Sequence, residues 1–170
     1  MFGSGIRFAH LVFGIIAVVG MLVGGIGLVL SAMRNDHDAP VFELVTFGLG
    51  MFSFYATGLL GILWIYQAWN WLPNDQRYAK YWTGWITPGA AAGFMFLPYF
   101  HYYWMFVIPP GLCDALDRLQ VSHGKQEPAP RQLAIVAAIC QFLLLPGPLL
   151  WFLYMTRTER IMRALAGETK

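Results

Sequence analysis

Four long apolar runs, separated by short polar stretches, set the pattern of this chain. The first covers about residues 8–33. Its roughly 26 residues make about 39 Å of helix, enough to cross a bilayer with tilt. A cleavable signal has a shorter apolar core followed by a small-residue cleavage site, so this run predicts a retained span. The second run, about 44–69, predicts another span, and two seams of small residues predict that the pair packs closely. Ala17, Gly20, Gly24, Gly27 and Ser31 recur in steps of three and four, which puts one small residue per turn on a single face. Gly50, Ser53, Thr57 and Gly61 form the matching seam. The short connection between the runs then makes them a tight antiparallel hairpin.

A polar stretch with a Pro73-Asn74 turn signal follows. Its Trp69, Trp71, Tyr78, Tyr81, Trp82 and Trp85 are expected at headgroup level as an aromatic belt. The third run, about 88–108, starts at Pro88, which suits a first helical turn. Gly89 and Gly93 at its start offer a second small-residue packing surface. The run then enters FLPYFHYYWMFVIPP, where Pro98 kinks a helix and Pro109-Pro110 end it. Beyond lies an amphipathic piece, about 111–123, expected along the membrane surface with Asp114 and Arg118 as an i,i+4 pair. The fourth run, about 133–155, is interrupted by Pro146-Gly147-Pro148, and a basic amphipathic segment, about 157–166, follows it. The predicted fold class is therefore all-α: one polytopic membrane domain over 1–170, with four transmembrane helices, the third and fourth broken at proline, plus short interfacial helices.

Composition agrees with that pattern. Hydrophobic residues make up 58% of the chain and charged ones 12%, with a mean hydropathy of +0.53, far from a soluble domain. A net charge of +2, with no basic stripe, excludes nucleic acid as a partner. Counting Lys and Arg in the flanks, four spans with both termini cytoplasmic place seven inside and four outside. If residues 88–108 re-enter instead of crossing, the split is six against five.

The search for chemistry is largely negative. No Walker loop, dinucleotide fingerprint, GxSxG or HExxH is present, and no Asp or Glu lies deep within a predicted span, so no enzyme is expected. Cys113 and Cys140 are expected as small apolar fillers. Asp36, His37, Asp38 and Glu43 could hold a divalent ion, but adjacent residues converge poorly on one metal, and a solvated loop is the reading adopted. A bis-histidine haem at His10 and His101 is set aside: four full spans place the two imidazoles at different depths. No cofactor and no metal is therefore expected. What remains is a pair of broken helices. Pro98 frees the carbonyl of Phe94, while Pro146 and Pro148 free those of Phe142 and Leu144. Inside a bilayer these carbonyls need partners. A candidate broken-helix or ligand site is thus Pro98, His101, Tyr102, Gln141, Pro146 and Pro148.

The stretch from Trp64 to about Arg157 resembles a bacterial family of small four-helix membrane proteins known only as a domain of unknown function. The residues that carry the likeness are Trp64-Ile-Tyr66 with Asn70, then Thr87-Pro88-Gly89, then Phe96-Leu-Pro98 and Trp104. Gln67 stands where the family often has Arg, and Pro109 follows the Trp later than the family's second Pro does. The resemblance implies a bacterial inner membrane and a four-helix fold, and transfers no activity. Two functions stay open. The leading one is a non-enzymatic scaffold or accessory subunit, packing on other membrane subunits or on itself through its small-residue seams and aromatic surfaces. The alternative is a module that binds or moves a lipid or small apolar ligand at the broken helices.

Overall fold

A computed structural model of the chain describes residues 4–34, 41–124, 127–142 and 146–167. Among these the chain is all-α: six α-helices, two short 3-10 turns and no strand. Helix α1 (Ser4–Met33) and helix α2 (Val41–Trp71) are long and apolar enough to cross a membrane. They pair antiparallel along the predicted seams. A Cβ added to Gly50 would stand 2.6 Å from the backbone nitrogen of Met21, so the glycines let the two backbones touch. Ala17, Gly20, Gly24, Ser53 and Thr57 are buried in the same interface, and Gly27 lies against the Glu43 side chain. Gly61 departs from the seam: its face meets the Trp151 indole of a later helix.

The remaining four helices form two hairpins against the lower part of α1 and α2. Helix α3 (Pro88–Gly93) is capped by the Thr87 hydroxyl, which accepts from the Ala90 N–H at 3.1 Å. A 3-10 turn (Phe94–Phe96) follows, and its Leu97 N–H donates to the Phe94 carbonyl at 3.3 Å. The acceptor that Pro98 frees is thus satisfied locally. The chain then reverses at Tyr99, whose φ of +62° and ψ of −43°, with Phe100 N–H donating to the Pro98 carbonyl at 2.7 Å, form a γ-turn of the φ-positive kind. Helix α4 (Phe100–Ser122) runs back alongside α3, and the Trp104 Nε1–H donates to the Ala91 carbonyl at 2.9 Å. Edge-to-face rings of Trp82, Phe94 and Trp104, with Phe100, clamp this hairpin.

Residues 88–108 are therefore not one kinked helix. They enter as a short helix, turn at Pro98-Tyr99 and leave as another. Pro109 and Pro110 do not end α4 either, since the helix continues to Ser122. Their fixed φ fits a helix, and although two N–H donors are lost, residues 107–113 are buried on all sides and hold the geometry. Tyr154 Oη–H donates to the Pro109 carbonyl at 2.9 Å. The expected surface segment 111–123 is accordingly the centre of the core, with Leu112, Cys113, Ala115 and Leu116 fully buried. Its acids serve the neighbouring loop. Asp114 takes Arg131 at 2.8 Å rather than Arg118, and Asp117 accepts from the Ala129 N–H at 2.8 Å. Arg118 instead lies over the Tyr78 ring and donates to Gln76. Trp69 and Trp82 belong to the core or pack against it, leaving Tyr78, Tyr81 and Trp85 exposed from the predicted aromatic belt. Gly89 and Gly93, expected as a packing surface, bury nothing against the chain: an added Cβ at Gly93 meets open space.

The second hairpin is helix α5 (Arg131–Phe142) and helix α6 (Gly147–Leu165). Helix α6 runs down α1 in antiparallel register: Pro148 lies against Gly14, and Glu159 pairs with Arg7. Its top is thus level with Gly14, about half-way along the bilayer-crossing part of α1. The basic segment 157–166 is no separate helix; it completes α6. The ends Ser4, Trp71, Ser122, Arg131 and Leu165 gather at one end of the bundle, the basal end, while Met33 and Val41 form the opposite tip. Above Gly14 the two long helices stand alone and expose Val19, Val23, Ile26, Leu44, Val45 and Leu49. Such a surface suits lipid, not water.

Candidate functional site

Both chain reversals reach the same depth, and a cavity of about 640 Å³ lies where they meet α1 and α2. From the first reversal come Met95, Phe96, His101, Tyr102 and Met105. From the second come Gln141 and Trp151. Helix α2 contributes Phe54, Tyr55, Thr57, Gly58 and Ile62, and α1 contributes His10. Tyr55, Leu59, Phe96 and Tyr102 are exposed and mark its mouth on the apolar flank of the bundle. The size is that of a ligand site, and the wall is chiefly apolar with a few polar atoms, as such sites are.

The polar atoms divide into two kinds. His101 Nδ1 stands 2.8 Å from the Met95 carbonyl. A carbonyl only accepts, so Nδ1 carries the proton and the neutral ring keeps its lone pair on Nε2. That bond ties α4 back to the 3-10 turn across the break. His10 is 1% exposed and its Nδ1 has no partner; Trp151 Nε1, also buried, has none either. Each such orphan costs about 1–3 kcal/mol relative to a satisfied group. Thr57 satisfies its own hydroxyl by donating to the Ser53 carbonyl at 2.8 Å.

Of the residues singled out in the sequence, His101, Tyr102 and Gln141 line this cavity, and Pro98, Pro146 and Pro148 sit at the turns that shape it. Thr57 and Gly61, expected only as packing residues, line it as well. Sequence reasoning missed His10, Trp151 and the two methionines. The argument that set His10 and His101 at different depths does not hold, because the reversal at Pro98 brings His101 to the start of α4, at the level of His10. Among the described residues no group of three or more His, Cys, Asp or Glu side chains could hold a metal ion. Residues Asp36, His37 and Asp38 of the acidic loop lie outside the described residues.

Below the cavity is a second polar cluster that the sequence also concealed. Glu159 of α6 is 1% exposed. One carboxylate oxygen accepts from Trp64 Nε1–H at 2.8 Å, and the other pairs with Arg7 Nε at 2.8 Å and Arg163 at 3.3 Å. Its signal was periodicity: Trp151, Met155, Glu159 and Met162 recur at helical spacing, an acid on an apolar stripe. Cys113 in the core beside it is inert. Burial pushes its thiol up to about 12, so it stays protonated at neutral pH and is no nucleophile. No protein-family model, curated protein or solved structure matches the chain.

Proposed function

We propose that this chain is a membrane-embedded binding protein for a small apolar ligand, held in the cavity between its two half-depth hairpins. The observation that carries this reading is that both proline breaks converge on one apolar cavity whose mouth opens on the lipid-facing flank. The small-residue seams that favoured a scaffold or accessory subunit are largely taken up inside the chain, by α1 against α2 and by Gly61 against Trp151.

A clean test is Gly58→Leu. Gly58 lines the cavity, yet a Cβ added there meets nothing within 4 Å. A leucine therefore enters the cavity without clash, and removing a mid-helix glycine favours the helix by up to about 1 kcal/mol. Native mass spectrometry of the protein purified in mild detergent is expected to find an apolar molecule on the wild type and none on Gly58→Leu, with stability equal or higher. Equal retention by both proteins, or none by the wild type, rejects the proposal.

Two crossing helices and two half-depth hairpins, rather than four spans, also account for charge. Of the nine Lys and Arg among the described residues, eight lie at the basal end and only Arg34 at the tip. We place the basal end on the cytoplasmic side of a bacterial inner membrane on that imbalance, which exceeds what four spans give. The segment around the exposed Glu127 distinguishes the two, since four spans put it outside. In a Cys140→Ser background, Glu127→Cys is expected to resist a membrane-impermeant maleimide on intact cells and to react after lysis. Labelling before lysis would instead restore the four-span topology.

A further inference from the structure

We infer that the cavity takes a neutral, flat-ringed amphiphile with carbonyl oxygens on its ring, a lipid-soluble quinone; this rests on the binding reading above. Charge excludes the commonest alternative first. No Asp, Glu, Lys or Arg lines the cavity. A phosphate head placed there loses its hydration with no cation to replace it, which is prohibitively unfavourable.

The wall then selects the shape. Phe54, Phe96, Met95 and Met105 present ring faces and thioethers, the partners that a flat conjugated ring prefers over a flexible chain. The polar atoms select the head. Trp151 Nε1–H can only donate, and it lacks an acceptor. His10, with its own unpartnered Nδ1, carries one N–H in either neutral tautomer. Two donors in want of acceptors, on different helices of one cavity, fit two carbonyl oxygens on opposite edges of a ring. An alkane or acyl chain leaves both donors unsatisfied. The lone pair that His101 keeps on Nε2 is a third contact, and it accepts a hydroxyl proton, so the reduced, dihydroxy form of the same ring fits as well. The isoprenoid or alkyl tail leaves through the mouth at Tyr55 and Leu59, both exposed.

The full chain in nanodiscs, titrated with a decyl-tailed benzoquinone and followed by tryptophan fluorescence quenching, tests this. Saturable quenching is expected, unaffected by equal amounts of decanol or of a decyl-chain lysophospholipid. Trp151→Phe is expected to weaken quinone binding about tenfold, the equivalent of one buried hydrogen bond. Its unliganded melting temperature should be unchanged or raised, because the variant removes an orphaned donor. Gly58→Leu, whose folding the change favours, should abolish saturable quenching altogether. Equal displacement by decanol or the lysophospholipid overturns the quinone assignment, as does undiminished binding by both variants. A haem absorption band in the purified protein overturns it as well. Retention of another apolar molecule without quinone binding rejects the quinone and leaves the binding reading standing, whereas retention of nothing rejects both.

Discussion

Glu159→Ala is expected to destabilise the folded protein by about 3–5 kcal/mol, the loss typical of removing one member of a buried ion pair. The carboxylate is 1% exposed and holds three helices together, α1 through Arg7, α2 through Trp64 and α6 from which it projects. Without it Arg7, whose side chain is 18% exposed, keeps its charge and loses its counter-ion, and the Trp64 indole loses its acceptor. Arg163 matters less, because at 42% exposure and i,i+4 spacing it remains solvated. Glu159→Gln keeps an acceptor for Trp64 but not the charge, so its loss should be smaller. Replacing both Arg7 and Glu159 by methionine should recover much of the loss, since a well-packed apolar pair often matches a buried ionic one. Reversible unfolding in mixed detergent micelles measures all four proteins. A Glu159→Ala variant within about 0.5 kcal/mol of the wild type would show that the cluster is a surface feature in solution.

Gly50→Ile is expected to cost about 2–3 kcal/mol in the same assay. The new Cβ stands 2.6 Å from the Met21 nitrogen and 2.8 Å from the Gly20 carbonyl carbon, distances no real side chain tolerates. The obstacle is backbone on both sides, so no rotamer change relieves it and α1 and α2 must separate. In lipid, packing of the helix surfaces is what holds such a pair, so separation removes its main attraction. Gly48→Ile, one turn-face away with open space at its Cβ, is the control and should be near neutral. Equal stability for the two variants would mean that the seam does not carry the hairpin.

The hairpin itself was legible in the sequence because a glycine seam is a local, periodic signal that survives without tertiary context. The proline positions were legible as breaks for the same reason. The direction the chain takes after a break was not. Whether Pro98 kinks a helix or reverses it depends on where Trp104 and Tyr103 find acceptors, and these are the carbonyls of Ala91 and Tyr81, contacts between distant residues. Pro109-Pro110 misled in the opposite sense: a pattern that ends most helices sits inside one here, held by burial on every side. The site was half legible. His101 and Gln141 stood out as polar residues near breaks, whereas His10 joined them only once the reversal was known. Glu159 was hidden by the charged residues around it, although its helical register with Trp151 and Met155 was open to view.

The stop of both short hairpins at the level of Gly14 has a consequence for the lipid around the protein. In a bilayer, the leaflet at the basal end surrounds a six-helix cross-section, and the leaflet at the tip surrounds only two helices. The molecule is a wedge, displacing several times more lipid area from one monolayer than from the other. Its preferred surroundings are then set by the area difference between the monolayers, and thickness matching, which governs a plain bundle of equal spans, becomes secondary.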